Sequence, residues 1–358
     1  MNDTTNMLTE TATKLFSELC TKPVLDAAEK GAFPQALWTA IEEAGFASML
    51  ASERDGGIAA SFADAVALLR VAGRFAAPVP LAETMIARWL FSKAGLPVPC
   101  GPLAIALGNG AEKWRFEGSG EKQTLQGAER AVPWASAAEA IVVVADQEEG
   151  TSIGAVEPAR LKIEARRNIA GEPRDEVAAH GVSVGRVAQL KEPSRDLVFR
   201  VAALFRAALI SGALERILEL SVSYVRNRVQ FGRPLARFQA VQQQLAVLAG
   251  AVAASVAITD AAACVADRED GELMVAAARA RLADAIDTGA GIAHQVHGAM
   301  GFVREYVLHY NTRRLWAWRD EYGSAAEWRE RLGRAFIGTL ADELWPKLVL
   351  VGAKTTQG

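Results

Sequence analysis

Long helical patterns of apolar residues fill the chain from Pro193 onward, and they constrain the fold more than any other feature. Three patterns follow one another, at Leu197–Val225, Phe238–Val265 and Glu272–Val296. Ser194 is placed to cap the first pattern, and Ser324 with Glu327 forms a capping-box sequence that opens a fourth pattern, continuing to Leu340. Long helices with short corners bury their apolar faces against one another, so the sequence predicts a helical bundle.

The middle of the chain, from Pro99 to about Leu190, changes to short runs that are typical of β-strands. Strands are predicted at Leu103–Leu107, Trp114–Phe116, Ile141–Ala145, Ile153–Val156 and Val182–Val187. Several short strands separated by Gly-, Asp- and Pro-containing turns favour a small barrel or a sandwich.

The N-terminal residues return to helical spacing. Amphipathic helices are predicted around Leu37–Ile41, from Phe62 to Ala76 and from Leu81 to Ala94. The sequence therefore predicts an α+β protein in three domains: an N-terminal helical domain at 1–98, a shortened middle β domain at 99–190 and a C-terminal helical bundle at 191–358.

Composition excludes several classes of function. The formal net charge is −3 and about half of the residues are apolar, which gives no reason to expect nucleic acid or an anionic membrane as a partner. The apolar run Leu245–Ile258 is too short and too rich in alanine to span a bilayer. Cys20, Cys100 and Cys264 lie far apart and suggest neither disulfides nor a metal cluster, so we expect a reducing cytoplasm.

The corner that follows the first long helix carries the most informative motif. It reads Arg228-Val-Gln-Phe-Gly-Arg-Pro-Leu235 and is followed by Phe238 and Gln239. An arginine offers a charged fork of donors for phosphate or carboxylate, and the ring of Phe231 could cover a flat ring system. Alone, such a corner is more often an ordinary helix–helix connection.

A second motif lies about sixty residues later, at the end of the third helical pattern. It reads His294-Gln-Val-His-Gly-Ala-Met-Gly-Phe302, with Glu305 and Tyr306 after it. Backbone N–H groups and a side-chain amide at the edge of a helix suit a pyrophosphate or another polar part of a cofactor. His294 and His297 have helical spacing, but no third ligand follows within a turn, so no metal is expected.

In this order and at this separation, the two motifs resemble those of the acyl-CoA dehydrogenase family. The matching residues are Arg228, Phe231, Gly232, Leu235, Gln239, Gln295, Gly298, Gly301 and Phe302. The resemblance implies an N-terminal helical domain, a small middle β-barrel and a C-terminal four-helix bundle. It also implies that both motifs reach across a subunit interface to the FAD of a neighbouring subunit. The implied FAD-binding residues are Arg228, Gln230, Phe231, Leu235, Gln239, Gln295, Gly298 and Gly301.

The chain departs from the family at the flavin ring. Ordinary members carry a threonine-glutamate-proline and a glycine-serine-aspartate sequence on the first strands of the middle domain. This chain has Leu103-Ala-Ile-Ala-Leu-Gly-Asn-Gly110 in that place, with no equivalent elsewhere. The flavin-ring half of the site is therefore predicted to be lost.

The catalytic base is also absent from both places where the family keeps it. Most members carry a glutamate before a glycine at a fixed distance past the second motif, where this chain has Tyr322, with Glu321 one residue earlier. A second subgroup keeps its base on the long helix before the arginine corner, where this chain has Ala202. Glu321 is a weak candidate base, and we expect it instead to be a surface carboxylate paired with Arg313, Arg314 or Arg319.

Three functions remain open from the sequence. The favoured one is a subunit of a heteromeric acyl-CoA dehydrogenase, most simply a heterotetramer, like the family members that degrade steroid side chains. A second acyl-CoA dehydrogenase-like subunit would then supply the flavin-ring loops and the glutamate, and an acyl-CoA would be the substrate. The alternatives are a self-sufficient enzyme that uses Glu321 as its base, and a non-enzymatic scaffold with the same fold.

Overall fold

The computed structural model describes residues 3–108, 112–118, 122–147, 150–268 and 270–346. Internal contacts divide the chain into two compact units. The β unit comprises residues 23–61 and 78–202, and the helical unit comprises residues 1–22, 62–77 and 203–358. The predicted α+β class is confirmed, with helical N- and C-terminal parts and a middle β region. The three-domain division at 98/99 and 190/191 stays a prediction.

The β unit holds two four-stranded sheets that share one apolar core. The strands are β1 (Leu103–Ala106), β2 (Glu112–Glu117), β3 (Thr124–Pro133), β4 (Ala140–Gln147), β5 (Gly150–Val156), β6 (Lys162–Glu164), β7 (Arg174–Ser183) and β8 (Val187–Leu190). One sheet has the order β1-β4-β5-β8, with β1 and β4 parallel and the other pairs antiparallel. The other is the antiparallel sheet β2-β3-β7-β6. Side chains such as Trp114, Phe116 and Val143 fill the core.

Three strand predictions were wrong or incomplete. β3 and β6 were missed, and the predicted strand Val182–Val187 covers the end of β7 and the start of β8. Along β3 the buried positions alternate from Leu125 through Gly127 to Glu129, and the last two carry no large apolar side chain. Glu129 accepts hydrogen bonds from the Trp114 indole and the Gly108 backbone, both at 2.8 Å, so a satisfied carboxylate hides the apolar alternation.

The helices of the β unit pack against this region. They are α2 (Lys22–Glu29), which begins at the unit boundary, α3 (Gln35–Glu43) and α5 (Leu81–Ala94). The prediction of α3 and the predicted bounds of α5 are confirmed, but α5 is buried on all sides from Leu81 to Ser92 and is not amphipathic. The Thr84 hydroxyl on α5 accepts a hydrogen bond of 2.9 Å from the Leu103 backbone, which fixes α5 against the start of β1.

The helical unit contains the remaining elements. They are α1 (Asp3–Leu19), α4 (Phe62–Arg74), α6 (Arg195–Asn227, in this unit from Ala203), β9 (Val229–Gln230), β10 (Arg233–Pro234), α7 (Gln239–Ala263), α8 (Gly271–His297), α9 (Leu308–Trp318) and α10 (Ala325–Arg334). The capping box of α10 is present in both directions, as predicted. The predicted continuation to Leu340 was wrong, because α10 ends at Arg334.

Helices α4 and α6 approach each other through a reciprocal pair of glycines. A Cβ at Gly212 of α6 would overlap the carbonyl oxygen of Arg70, and a Cβ at Gly73 of α4 would overlap that of Leu209. Backbones this close leave no room for a side chain, so each glycine is required by its neighbour's main chain.

Two of the described helices are long and apolar enough to cross a membrane by length and composition alone. In α6, 83% of the most apolar window is buried within the protein, which is typical of a core helix. In α7 the buried share is 33%. The exposed positions of α7 include apolar residues such as Val247, Ala249 and Ala253.

Gly212→Ala tests the helix crossing. We expect the free energy of unfolding to fall by about 1–3 kcal/mol or more, because the added methyl group must push two backbones apart. Gly250→Ala on α7 is the matched control, since a Cβ there meets nothing within 4 Å. That variant should be neutral or more stable by up to about 1 kcal/mol in the same urea titration. Equal stability of the two variants would contradict the crossing geometry.

Candidate functional site

The corner after α6 is a tight β-hairpin. Gln230 pairs with Arg233 across it, and the Leu235 N–H donates to the Arg228 carbonyl at 2.9 Å. Phe231 and Gly232 form the two-residue loop and have φ values of 54° and 77°. Positive φ at both central positions defines a type I′ turn, which favours glycine at the second place and is costly for phenylalanine at the first.

The hairpin presents an aromatic surface and an exposed cation. Phe231 is 88% exposed, and its ring lies 6.0 Å from that of Phe238. The Arg233 guanidinium lies 4.2 Å from the Phe238 ring centre. Arg228 and Gln230 are also exposed, so the corner displays polar donors beside a flat apolar ring.

Gln239 stands at the N-terminal end of the next helix. It is the first residue of α7 and is exposed, while Leu235 lies half-buried in the short 3₁₀ turn before it. The first N–H groups of a helix have no partner within that helix and attract anions. Arg228, Gln239 and this helix end thus provide donors that suit a phosphate.

The second motif forms a glycine turn at the end of α8. The helix ends at His297, Gly298 has φ 56° and ψ −139°, and residues Gly298–Phe302 form a 3₁₀ turn. Gln295 and Gly298 are exposed, and a Cβ at Gly298 would meet nothing within 4 Å. Gly301 is buried, and a Cβ there would lie 3.1 Å from the Cβ of His297.

Glu321 has a partner that the sequence did not suggest. Its carboxylate lies 2.8 Å from the Nε of Arg206 on α6, and the two side chains are only 16% and 3% exposed. The expectation that Glu321 is a surface carboxylate was therefore wrong, and Arg206 was not among its expected partners. Ala202 is the position at which the second subgroup keeps its base, and Arg206 lies one helical turn after it. This part of α6 therefore carries a cation.

Aromatic rings flank this ion pair. The Arg206 guanidinium carbon lies 5.6 Å from the centre of the Trp318 ring and 5.5 Å from that of Tyr322. Tyr322, at the expected base position, has a φ of 56°. This side chain is a phenol beside a cation, and it offers no carboxylate.

Arg279 of α8 fixes the backbone of the same loop. Its Nη2 donates to the carbonyl oxygens of Arg319, Glu321 and Gly323 at 2.9, 2.7 and 3.2 Å. Burial, and secondly the positive charge of Arg206, lower the pKa of Arg279 to about 10, so it remains charged at neutral pH. The buried Arg279 therefore fixes the backbone of the loop that contains Glu321 and Tyr322.

The sequence does indicate that Arg206 and Arg279 are unusual. Each lies within an apolar, alanine-containing helical run, where a charged residue is buried only with a partner. The identity of that partner depends on tertiary structure, because Glu321 is more than a hundred residues from Arg206.

Strand β1, where the family resemblance places the flavin-ring sequence, is buried. All four residues of β1, and Leu107 after it, are buried, and none carries a polar side chain. Gly108 accepts a hydrogen bond of 3.2 Å from Arg195 at its carbonyl. Residues 109–110 of the same stretch lie outside the described residues.

Within the described ranges, no group of three or more His, Cys, Asp or Glu side chains could hold a metal ion. His297 is already engaged, because Nδ1 lies 2.7 Å from the Ala293 carbonyl oxygen and Nε2 lies 3.1 Å from the Tyr306 hydroxyl.

Two family sequence models match most of the chain. The acyl-CoA dehydrogenase N-terminal domain matches residues 2–96, and the acyl-CoA dehydrogenase C-terminal domain matches residues 198–323. The chain belongs to the acyl-CoA dehydrogenase family. Acyl-CoA dehydrogenase IpdE2 of Mycobacterium tuberculosis is 28% identical over 322 residues, covering 86% of this chain and 89% of that protein.

Solved structures of the family share the fold over nearly the whole chain. A chain of the ChsE4–ChsE5 complex from Mycobacterium tuberculosis superposes with a TM-score of 0.85 at 22% identity, covering 95% of this chain and 99% of that one. A variant of the Tcur3481–Tcur3483 steroid ACAD gives 0.83 at 24% identity, with 93% and 97% covered.

Members of this family are flavoproteins with FAD, and the residues of this chain fit one part of that cofactor. The exposed Arg228 and Gln239, and the open Gly298, suit the charged diphosphate portion. The buried, apolar β1 offers no side-chain donor for the flavin ring.

Arg206→Met tests the interior ion pair. Removing this cation leaves the carboxylate of Glu321 buried without its partner, so we expect a loss of about 3–5 kcal/mol in the free energy of unfolding. The double variant R206M/E321L should recover part of that loss, because neither charge is then buried alone. Arg334→Met is the control: the Arg334–Glu330 pair is 72% and 59% exposed, and its loss should stay within about 0.5 kcal/mol. A double variant no more stable than R206M would contradict the pairing.

Proposed function

We propose that this chain is one subunit of a heteromeric, FAD-dependent acyl-CoA dehydrogenase that desaturates an acyl-CoA thioester between its α- and β-carbons. The observation that carries the proposal is the contrast between the two halves of the site. The diphosphate-binding corner is exposed and equipped with donors, while the base position is Tyr322 and the adjacent Glu321 is bound to Arg206.

The residues of this chain would bind the cofactor rather than move protons. Arg228 would pair with the diphosphate of FAD, and Gln239 and Gln295 would donate amide hydrogens to its polar groups. Phe231 and Leu235 would cover an apolar face of the cofactor, and Gln230 would lie at the edge of that face. Gly298 and Gly301 would let the protein backbone approach the cofactor closely. FAD, when bound, supplies the acceptor for the β-hydrogen of the substrate.

A partner subunit of the same family would supply what is missing here: the flavin-ring contacts and a glutamate that removes the α-proton. Two of the structural relatives are complexes of two differently named chains, and one of those is called a steroid ACAD. A heterotetramer acting on a bulky, steroid-like acyl-CoA in the bacterial cytoplasm agrees with these relatives.

A self-sufficient enzyme is the second candidate, because Glu321 is a carboxylate one residue from the expected base. Its ion pair with Arg206 argues against that role. A carboxylate held against an interior guanidinium is not free to approach the α-proton of a substrate.

The visible absorption spectrum separates the candidate functions. We expect the chain purified alone to be colourless, and the chain co-expressed with its partner subunit to be yellow and to co-purify with it. A chain that is yellow alone and is bleached by an acyl-CoA would establish the self-sufficient enzyme. No flavin in either sample would favour the scaffold.

Arg228→Ala tests the cofactor corner in the assembled complex. We expect the dissociation constant for FAD to rise about 10- to 100-fold, because a charge-assisted hydrogen bond to phosphate is lost. The helices should stay folded, as circular dichroism would report. Arg226→Ala, an exposed arginine two residues earlier, is the matched control and should keep its flavin. Full flavin content in R228A would remove Arg228 from the site.

Glu321→Gln distinguishes the two enzymatic candidates. In the heteromer, turnover per bound flavin should stay within about twofold of the wild type, because the base belongs to the partner. If Glu321 were the base, turnover would fall by about 10²- to 10⁴-fold. Turnover is normalised to the amount of bound flavin, so a variant that yields less complex because it is less stable is still compared correctly with the wild type.

A further inference from the structure

An aromatic cluster joins the two motifs that lie sixty residues apart. It consists of Tyr224 on α6, His297 at the end of α8 and Tyr306 after the glycine turn; the histidine is buried and both tyrosines are half-buried. The Tyr224 ring lies 4.5 Å from the His297 ring and 6.0 Å from the Tyr306 ring, and His297 and Tyr306 are 5.0 Å apart. None of these residues belongs to the cofactor-binding set inferred from the motifs.

The hydrogen bonds of His297 give the aromatic cluster a defined arrangement. Nδ1, at 2.7 Å from the Ala293 carbonyl oxygen, carries the hydrogen and donates it, since a carbonyl only accepts. In the neutral ring Nε2 is then an acceptor, and the Tyr306 hydroxyl donates to it at 3.1 Å. Burial is the main cause of a lowered pKa of His297, which favours this neutral form.

The His297–Tyr306 hydrogen bond closes the loop that contains the glycine turn. The turn Gly298–Phe302 lies between these two residues in sequence, so their bond ties its ends together. Two further contacts hold it: Gly301 packs on His297, and the rings of His294 and Phe302 stack at 4.6 Å. These contacts hold the exposed backbone at Gly298 in place.

Tyr224 connects the same aromatic cluster to the arginine corner. The backbone N–H of Arg228 donates to the Tyr224 carbonyl at 2.8 Å, so the corner begins one helical turn after this tyrosine. The contact of Tyr224 with His297 thus links the helix that leads into the corner to the end of α8, where the glycine turn begins. His297 itself is 3% exposed, so its contribution is to position its neighbours.

We propose that His297, Tyr306 and Tyr224 are positioning residues that hold the arginine corner and the glycine turn at the spacing required by the diphosphate of a dinucleotide cofactor. The inference rests on the proposed function, because it assigns to these residues the pre-organisation of that same site. Donors held in place before binding lose little freedom when the cofactor arrives, and supporting contacts of this kind typically tune affinity without touching the ligand.

Tyr306→Phe in the co-expressed complex is the test, since it removes only the hydroxyl that donates to His297. The expected result is a dissociation constant for FAD about 3- to 10-fold above that of the wild type. Turnover at saturating FAD should be unchanged, because the chemistry does not depend on this hydroxyl. FAD affinity is measured by flavin fluorescence on the deflavinated complex.

Tyr310→Phe is the matched control. Tyr310 is a buried tyrosine of the same helical unit, and its hydroxyl accepts a hydrogen bond of 3.2 Å from Lys22, on another part of the unit. We expect Y310F to lower the unfolding temperature about as much as Y306F while leaving FAD affinity unchanged. Combining Y306F with H297A should weaken FAD binding no further than H297A alone, because both remove the same bond.

The outcomes are distinct for the two proposals. If R228A loses FAD as expected while Y306F and Y310F bind it as tightly as the wild type, the positioning role is overturned and the proposed function stands. If Y306F and Y310F weaken FAD binding equally, the effect is one of general stability and the positioning role is again overturned. If the wild-type complex binds no flavin, both proposals fall.

Discussion

A buried arginine on α6 pairs with Glu321, the carboxylate next to the position where the family is expected to keep its catalytic base. Arg206 needs a negative partner, because an unpaired charge in the interior costs several kcal/mol, and Glu321 is a carboxylate that fills this need. Once that pair forms, the loop around it follows: rings pack near the guanidinium, and Arg279 holds three carbonyl oxygens of the backbone. Under the proposed function, the Glu321 carboxylate therefore has a structural role.

Under the proposed function, this chain keeps one half of the family's site and lacks the other. The half that suits a diphosphate is exposed, keeps its charged and amide donors and rests on the aromatic cluster of Tyr224, His297 and Tyr306. Under the proposed function, β1 supplies no polar side chain for the flavin ring, and Glu321 is paired with Arg206 instead of acting as the base. A complete active site then requires a partner chain that supplies the flavin-ring contacts and the catalytic glutamate.

Features with a local physical cause were predictable from the sequence. The capping box at Ser324, the bounds of α5 and the helical end before the glycine turn are fixed by neighbouring residues. Features that depend on distant partners were not predictable. The carboxylate of Glu129 on β3 is buried because the distant Trp114 donates a hydrogen bond to it, and the partner of Glu321 lies on α6, far away in sequence.

The Arg206 cation has a consequence for attempts to convert this chain into an autonomous enzyme. Replacing Tyr322 with glutamate would restore the family's residue at the base position, yet the Tyr322 ring already lies 5.5 Å from that guanidinium. A carboxylate placed there would lie beside the same guanidinium that Glu321 already contacts, and it would be attracted to that charge. Under the proposed function, restoring a base at this position would therefore also require a change at Arg206, which pairs with the loop.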